Sequence, residues 1–301
     1  MNKNKMDKYI GVDIGGSHIT AALVDIQKGE FASETLVRNS VNSKNSAEEI
    51  LTTWAKTIQN VANKSNISTY QLGIAMPGPF DYELGICLMK NVNKYEHLYG
   101  TNVKTALAER LGISSENIRF RNDSEAFLEG EMLFGVGKNF KNGMGITLGT
   151  GLGTSIFTDG LAIDMGLGIT HHFRDGVAED YISTRWFTNR YFELTQKTIE
   201  GVKQLVNIYD EQREVRQIFD EFSQNIALFV QQFVEKFQPE IIIFGGNIAQ
   251  LSPLFFPIIE EKLADISPKI ILKKSILNEN AALMGAVGFG VKNEEILTLT
   301  H

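Results

Sequence analysis

YIGVDIGGSHITAALVD, residues 9–25, is the stretch from which the fold is deduced. An apolar run leads to Asp13 and a glycine turn, and a second apolar run follows the turn. This pattern predicts two antiparallel strands joined by a tight connection. Gly15 and Gly16 let the backbone approach a bound group closely, and successive N–H groups in such a turn form a concave anion site. Taken alone, the stretch is better explained as an ordinary hairpin with a glycine turn.

A copy of the pattern, MGITLGTGLGTSIFTD, lies downstream at residues 144–159. When the two stretches are aligned without a gap, Gly15 meets Gly149 and Thr147 takes the place of Asp13. A repeat of this kind indicates two similarly built halves. The alignment predicts a pair of phosphate clamps, of which only the first has a carboxylate for a metal ion.

Composition and length agree with two lobes, because 301 residues exceed the usual size of a single core. With 29 basic and 36 acidic residues and a net charge of −7, the chain offers no basic surface for nucleic acid or anionic membranes. Its single cysteine excludes an internal disulfide and a cysteine-rich metal site. Residues 1–8 show no apolar signal core, and no apolar run approaches the ~20 residues of a membrane span. We therefore expect a cytoplasmic protein without membrane or nucleic-acid partners.

Hydrophobic periodicity and turn signals predict the remaining elements. In the first part they predict a strand over 31–37, a helix begun by a capping box at Ser46 and Glu49, a strand over 72–76, a loop to about 100, a helix over 103–111, a strand over 118–120 and a helix over 125–134. In the second part they predict a helix over 218–237 with a core-facing aromatic stripe, strands over 241–244 and 269–272, and a final helix over 280–288.

Three glycine loops lie at the ends of apolar strands: Gly15-Gly16, Gly149-Thr150-Gly151 and Gly245-Gly246. Ligands of α/β proteins bind at the carboxyl ends of strands. None of these loops has the spacing of a P-loop or a dinucleotide fingerprint. Each could be a simple tight turn, but together they predict one nucleotide bound by two similar lobes.

Asn122-Asp123 follows the strand predicted over 118–120 and begins a helix. Asp123 fits an N-cap, and it also fits a general base that accepts a hydroxyl proton in phosphoryl transfer. The spacing does not separate these roles. Asp13 is similarly open to two interpretations, a salt-bridge partner or a carboxylate that holds Mg²⁺ through water.

His171-His172 is the one histidine pair of the sequence. Adjacent side chains point apart in most backbones, which disfavours zinc binding by both. A hydrogen bond to a substrate from either histidine fits the pattern better. Glu179, taken alone, resembles a solvated residue in the first turn of a helix.

Nearly the whole chain resembles the ROK family (repressors, open-reading-frame proteins and kinases) of bacterial sugar kinases, within the actin, Hsp70 and hexokinase superfamily. Residues 13–19 are similar to the family's first phosphate loop, with Ser17 and His18 in place of threonine and lysine. Residues 73–81 are similar to its Gly-x-Pro-Gly-Pro-x-Asp segment, residues 148–153 to its second phosphate loop, and residues 280–286 to its closing helix.

The resemblance implies an α/β protein with the two-lobed actin-like ATPase fold, built from ribonuclease H-like lobes. It places an N-terminal lobe at residues 8–124, completed by a C-terminal helix over about 286–301, and a C-terminal lobe at residues 125–285. It also implies a homodimer.

The same resemblance assigns roles to individual residues. Asp123 is the implied catalytic base. The implied sugar contacts are Gly78, Asn91, Asn122, Glu179 and His171 or His172. The implied contacts to ATP are Asp13, Gly15, Gly16, Ser17, Gly149, Thr150, Gly151, Gly245 and Gly246, and Asp13 is also the implied Mg²⁺ residue.

One segment departs from the family pattern. The family's zinc segment has lost all its cysteines here, so we expect no zinc; Glu179 resembles the family's sugar-contacting glutamate. Lys90 replaces the proline that usually precedes the family asparagine at Asn91. This cysteine-free pattern resembles polyphosphate-using glucokinases, which leaves two phosphoryl donors open.

We therefore expect an ATP- and Mg²⁺-dependent carbohydrate kinase, glucokinase-like, that phosphorylates a hydroxyl of a hexose or N-acylhexosamine. One alternative is a kinase that uses polyphosphate as donor. Another is a non-catalytic, sugar-sensing ROK-fold protein. DNA binding is disfavoured, because the first strand begins near Tyr9 and leaves no room for a helix-turn-helix domain.

Overall fold

The computed structural model describes residues 8–264, 266 and 269–291. Contacts between Cα atoms divide the chain into two units. The first comprises the residues up to Gly135 together with those from Glu279 onward, and the second is Val136–Asn278. Residues 1–7, where no signal peptide is expected, and residues 292–301 of the predicted C-terminal helix lie outside the described residues.

The elements follow one another in chain order. The strands are β1 Tyr9–Ile14, β2 His18–Asp25, β3 Glu30–Phe31, β4 Val37–Ser40, β5 Gln71–Met76, β6 Phe80–Asp81, β7 Ile86–Cys87, β8 Ile118–Asn122, β9 Gly143–Leu148, β10 Leu152–Thr158, β11 Leu161–Asp164, β12 His172–Phe173, β13 Gly176–Val177, β14 Ile241–Gly245 and β15 Ile271–Lys274. The helices are α1 Ala47–Lys64, α2 Val103–Leu111, α3 Asp123–Phe134, α4 Leu167–Thr170, α5 Thr184–Thr195, α6 Val202–Asn207, α7 Arg213–Phe237, α8 Phe256–Ala264 and α9 Ala281–Ala286.

The first unit is built on one mixed sheet with the strand order β3-β2-β1-β5-β8, and β4 also pairs with β2. β1 and β2 form the predicted antiparallel hairpin. β1, β5 and β8 run parallel to one another, with Asp13 beside Ala75 and Met76 beside Asn122. Their carboxyl ends therefore lie at the same edge of the sheet.

The single strand predicted over 31–37 is wrong. A 3₁₀ turn, Ser33–Thr35, separates β3 from β4, and both strands pair with β2. The Thr35 hydroxyl donates to the Ala32 carbonyl at 2.7 Å and accepts from the Leu23 amide at 3.0 Å. This local bonding by a threonine competes with a continuous ladder. The region to residue 100, predicted as a loop, contains the small β6–β7 hairpin.

Several helix termini agree with their sequence signals. The capping box at Ser46 and Glu49 begins α1, and Gly112, with φ of 66°, ends α2. At α3 the cap is Asn122, whose Oδ1 accepts from the Ser124 amide at 2.7 Å. Asp123 is therefore the first residue of the helix and not its N-cap, although its own carboxylate also accepts from Ser124.

The second unit has the sheet order β11-β10-β9-β14-β15. α7 buries Phe219, Phe222 and Phe229 completely, which confirms the predicted core stripe. β15 begins two residues later than the strand predicted over 269–272. In the part of the chain that the structure describes, no helix combines the length and hydropathy needed to span a membrane.

The repeated hairpins differ in one detail that the gap-free alignment did not show. Ile14 pairs with Ile19 in the first hairpin, which leaves the four residues 15–18 in the connection. Leu148 pairs with Leu152 in the second, which leaves only residues 149–151. The second connection is thus one residue shorter.

α9 lies in backbone contact with its neighbours in the first unit. At four glycines an added Cβ would lie far inside van der Waals distance of a backbone oxygen. These contacts are Gly285 with Ala126 at 1.8 Å, Gly130 with Ala281 at 2.1 Å, Gly73 with Ala286 at 2.2 Å and Gly11 with Leu283 at 2.3 Å. The packing of α3 on α9 joins both helices to the first unit. This division falls later than the predicted boundary at 124/125 and earlier than the predicted one at 285/286.

We expect Gly285→Ala to lower the free energy of unfolding by about 1–3 kcal/mol, the usual effect of overpacking. A Cβ there has no room against the backbone of α3. The matched control is Gly16→Ala, because a Cβ at Gly16 would meet nothing within 4 Å. Denaturant titration measures both, and equal stability of the two variants would contradict the packing argument.

Candidate active site

The predicted site residues of the first unit lie at the edge where β1, β5 and β8 end. Asp13 lies near the end of β1, and Asn122 is the last residue of β8, with Asp123 directly after it. Gly78 follows β5. The parallel pairing of these strands brings together side chains that lie more than 100 residues apart in the chain.

Asp13 and Asp123 interact as like charges. Burial, and next the negative charge of Asp123, raise the pKa of Asp13 to about 7; Arg38 opposes this shift and Glu279 adds to it. The Asp13 side chain is only 18% exposed. The electrostatic interaction of these two carboxylates is the feature of this edge that the proposed function uses.

Arg38 and Glu279 form a partly exposed ion pair at 2.6 Å beside these carboxylates. The two residues come from β4 and from the start of the C-terminal return into the first unit. The Arg38 charge lowers the pKa of Asp13 and the Glu279 charge raises it. The sequence analysis did not identify this pair, since 241 positions separate its members.

The glycine turn after β1 closes on His18. The Gly15 amide donates to the His18 carbonyl at 2.9 Å. A Cβ on Gly15 would lie 2.8 Å from the His18 ring, so the imidazole lies directly against this glycine. His18 Nε2 lies 4.0 Å from Asp13 Oδ2. Burial and the Arg38 charge lower the pKa of His18, and the Glu279 charge opposes this shift.

Tyr95 supports the same turn and was missed by the sequence analysis. Its hydroxyl donates to the Gly15 carbonyl at 2.5 Å. The residue is fully buried, has a φ of 54°, and packs edge-on against Trp54 at 5.2 Å between ring centroids. Burial, with a contribution from Asp13, raises the pKa of Tyr95 far above its usual value, so the phenol remains a donor.

Tyr82 joins two other predicted residues and was also missed. Its hydroxyl donates to the Met76 carbonyl at 3.2 Å and accepts from Asn122 Nδ2 at 3.2 Å. A Cβ on Gly78 would lie 3.2 Å from the same hydroxyl. Asn91 is exposed, with φ of 60°, in the loop that leads to the Glu96–Leu98 3₁₀ turn.

In the second unit, the turn at residues 149–151 is held from two sides. The Gly149 amide donates to the Gly151 carbonyl at 3.1 Å, the counterpart of the Gly15–His18 bond. Thr184, the first residue of α5, donates to the Gly149 carbonyl through its amide at 2.9 Å and its hydroxyl at 2.8 Å. Gly151 thus supplies the carbonyl acceptor that His18 supplies in the first hairpin.

The Glu179 carboxylate contacts this turn, although the sequence taken alone suggested a solvated side chain. Its Oε2 accepts from the Leu152 amide at 3.0 Å. A Cβ on Gly151 would lie only 2.4 Å from the same oxygen. Glycine at position 151 therefore leaves the space that the Glu179 carboxylate occupies.

The third glycine loop lies next to the second. Gly245 pairs with Thr147, and Gly246 has φ of 83°. A Cβ on Gly246 would lie 2.3 Å from the Leu148 carbonyl oxygen. Within the second unit, the two glycine loops predicted to contact nucleotide are thus adjacent.

The two histidines have different surroundings. His171 Nε2 is hydrogen-bonded to Gln232 Oε1, and its ring packs edge-on against Phe229 and Phe233 of α7. His172 is exposed and pairs with Val177 in the β12–β13 hairpin. The His171 side chain therefore packs against α7, whereas the His172 side chain lies at the surface.

Among the described residues, no group of three or more His, Cys, Asp or Glu side chains is arranged to hold a metal ion. Cys87, within the same residues, is a buried free thiol.

Comparison with known proteins gives a consistent result. The ROK family profile matches residues 9–173. A curated glucokinase from Thermotoga maritima is 25% identical, over 93% of this chain and 96% of its own. An N-acetyl-D-glucosamine kinase from Pectobacterium carotovorum is 20% identical, over 82% of this chain and 86% of its own.

Among solved structures, a ROK hexokinase from Thermus thermophilus is similar with a TM-score of 0.80. It is 17% identical, and the match covers 95% of this chain and 99% of the hexokinase. The predicted fold class, an α/β protein with the two-lobed actin-like fold, is confirmed by this likeness.

The raised pKa of Asp13 predicts a pH-dependent stability. The pKa of about 7 in the folded protein exceeds the ordinary aspartate value of 3.8, so Asp13 lowers the free energy of unfolding progressively as the pH rises through this window. At a pH above 7 that cost is up to about 4 kcal/mol. We therefore expect Asp13→Asn to stabilise the metal-free protein more at about pH 8 than at about pH 5.

Thermal unfolding with a chelator present measures this difference. The control is Asp25→Asn, because backbone N–H groups lower the pKa of Asp25 and its contribution is then constant above the unfolded value. An equal change at both pH values for Asp13→Asn would contradict a raised pKa.

Proposed function

The chain belongs to the ROK family, and on that premise we propose that it is a carbohydrate kinase that transfers the γ-phosphoryl group of ATP to a hydroxyl of a hexose or N-acylhexosamine. The observation that carries this proposal is the pair of carboxylates at one sheet edge. Burial, and next the negative charge of Asp123, raise the pKa of Asp13 to about 7. Two such groups fit separate duties, one toward a metal ion and one toward the substrate hydroxyl.

Asp123 is the proposed general base. The sugar hydroxyl oxygen, most simply the 6-hydroxyl, attacks the γ-phosphorus while the bond to the β–γ bridging oxygen breaks, and the hydroxyl proton passes to Asp123. Asn122 caps the helix that Asp123 begins and is fixed by Tyr82. This rigid support suits a reaction in which positioning supplies most of the rate.

The proposed phosphate contacts are the backbone N–H groups of the glycine turns, with Ser17 and Thr150 beside them. Backbone donors of this kind stabilise charge on a transferring phosphoryl group. The Tyr95 hydroxyl on the Gly15 carbonyl fixes the first turn, and Thr184 on the Gly149 carbonyl fixes the second. Gly245 and Gly246 are the proposed contacts on the adenosine side.

Asp13 is the proposed residue for Mg²⁺, bound through water. When bound, the ion neutralises negative charge on the phosphates. Asp13 has a pKa of about 7 without a cation, and a nearby positive charge favours the ionised carboxylate. Metal binding and ionisation of Asp13 are therefore coupled.

The proposed sugar contacts are Gly78, Asn91, Asn122, Glu179 and one of His171 and His172. Glu179 is supported by its fixed position on the second glycine turn. His172 is exposed, whereas His171 is hydrogen-bonded to Gln232. A homodimer and a cytoplasmic location belong to the same proposal.

Two alternatives have support in the sequence. A kinase that uses polyphosphate fits the cysteine-free segment before Glu179. A sugar sensor without activity fits the same altered segment and the replacement of the family's lysine by His18. Both alternatives retain the proposed sugar site. The first differs from the main proposal in the phosphoryl donor, and the second in having no turnover.

Replacing Asp123 with Asn should abolish turnover and leave sugar binding intact, because the amide keeps the shape but accepts no proton. The assay measures sugar phosphate formed from a panel of hexoses and N-acylhexosamines, with ATP or polyphosphate as donor, and thermal shift measures sugar binding. The matched control is Asp220→Asn, an exposed residue of α7, which should keep full activity.

Each outcome separates the candidate functions. Near-normal turnover by Asp123→Asn would eliminate its role as base. Turnover of the unmodified chain with polyphosphate alone would favour the other donor. Sugar binding without turnover on any donor would favour the sensor.

A further inference from the structure

We propose that Asn225 of α7 is a positioning residue for Glu179. It acts through residues 171–181, here called the clasp segment, which contain β12, β13 and the Ala178–Asp180 3₁₀ turn. The inference rests on the proposed function in one respect, the role of Glu179 as a sugar contact. The Asn225 amide is buried and has no role in the proposed reaction.

Asn225 lies within the aromatic side of α7 and is only 4% exposed. Its Oδ1 accepts from Arg174 Nη2 at 2.9 Å, and its Nδ2 donates to the Tyr181 carbonyl at 3.4 Å. One amide thus joins two points of the clasp segment, one on each side of Glu179. A carboxamide offers a donor nitrogen and an acceptor oxygen on two separate atoms, which lets this one side chain bind both partners at once.

Arg174 is fixed by more than this bond. It has φ of 58°, in the connection between β12 and β13. Its guanidinium lies 5.7 Å from the Phe173 ring centre and 5.6 Å from the Tyr181 ring centre. Both rings therefore face a cation at a distance where the ring and the charge attract each other. The Tyr181 hydroxyl donates in turn to Asp175, which closes the connection on itself.

A second attachment to α7 lies at the start of the clasp segment. His171 is hydrogen-bonded to Gln232 and packs on Phe229 and Phe233. Phe173, which is 3% exposed, packs edge-on against Phe229 as well. The clasp segment therefore contacts α7 at both of its ends. In the sequence, Glu179 lies between these two attachments.

Packing of the α7 core does not by itself account for an asparagine at position 225. A buried amide loses its hydration and at best regains it through its two hydrogen bonds, so an apolar side chain would stabilise the α7 core at least as well. What the amide adds is a fixed place for the segment that carries Glu179. Glu179 in turn accepts a hydrogen bond from the Leu152 amide at the second glycine turn. A continuous series of contacts therefore connects α7 to this turn through Asn225, the clasp segment and Glu179.

The test uses Asn225→Leu, which keeps the branched shape and the number of side-chain heavy atoms and removes both hydrogen bonds, and Arg174→Met, which keeps the aliphatic stem. Gln224→Ala, at the neighbouring exposed position of α7, is the matched control. We expect hydrogen exchange to rise in residues 149–153 and 171–181 of both variants and not in the control. This readout does not depend on activity.

Kinetics supply the second readout. We expect Asn225→Leu to raise the KM for sugar about 10-fold or more, with the KM for ATP unchanged. In the double variant with Glu179→Gln, Asn225→Leu should add little further, because both changes act on the same contact. Arg174→Lys, which keeps a cation but not the planar fork, should restore part of the loss seen with Arg174→Met.

The outcomes are distinguishable. Unchanged exchange at residues 149–153, or fully additive effects of the two substitutions on the KM for sugar, would overturn the positioning role. If Glu179→Gln alone leaves the KM for sugar unchanged, the sugar contact in the proposed function fails, while the exchange data still decide whether Asn225 positions the segment. If Asn225→Leu fails to fold, the Arg174 variants carry the same test.

Discussion

Backbone-to-backbone contact between α9 and its neighbours is the constraint on which the first unit depends. Glycines on β1, β5 and α3 admit the carbonyl oxygens of α9 at distances that no Cβ would allow. Arg121 adds a charged contact, donating to the Gly285 carbonyl at 3.0 Å and pairing at 2.8 Å with Glu129, which is 1% exposed. A buried pair of this kind costs much when one partner is lost. Arg121 directly precedes Asn122 and Asp123, so this packing also fixes the candidate base.

The candidate site works against the stability of the same unit. Burial and a neighbouring carboxylate make the ionised form of Asp13 costly, and a sheet edge free of such charges would be more stable. Strain of this kind is expected where a protein binds a cation, because the cation removes it. Arg38 is the side chain whose positive charge lowers the pKa of Asp13 in this unit, whereas burial lowers the pKa of His18 beside it.

Local signals in the sequence predicted the two hairpins, the capping box of α1 and the position of Asp123 at a strand end. These features depend on residues a few positions apart. Tyr95, Tyr82 and Asn225 could not be found in this way, because each contacts the site through a partner that the fold brings near. The three-residue connection after Leu148 was also hidden, since an alignment of letters does not contain the pairing register.

The order of elements along the chain has a consequence for biosynthesis. Val136–Asn278 is continuous, so the ribosome delivers the whole second unit before α9 is made. Until then β1 and β5 lack the helix that packs against Gly11 and Gly73. The first unit is therefore begun first and completed last. The surface around Gly11 and Gly73 lacks its packing partner for the time needed to translate about half the chain.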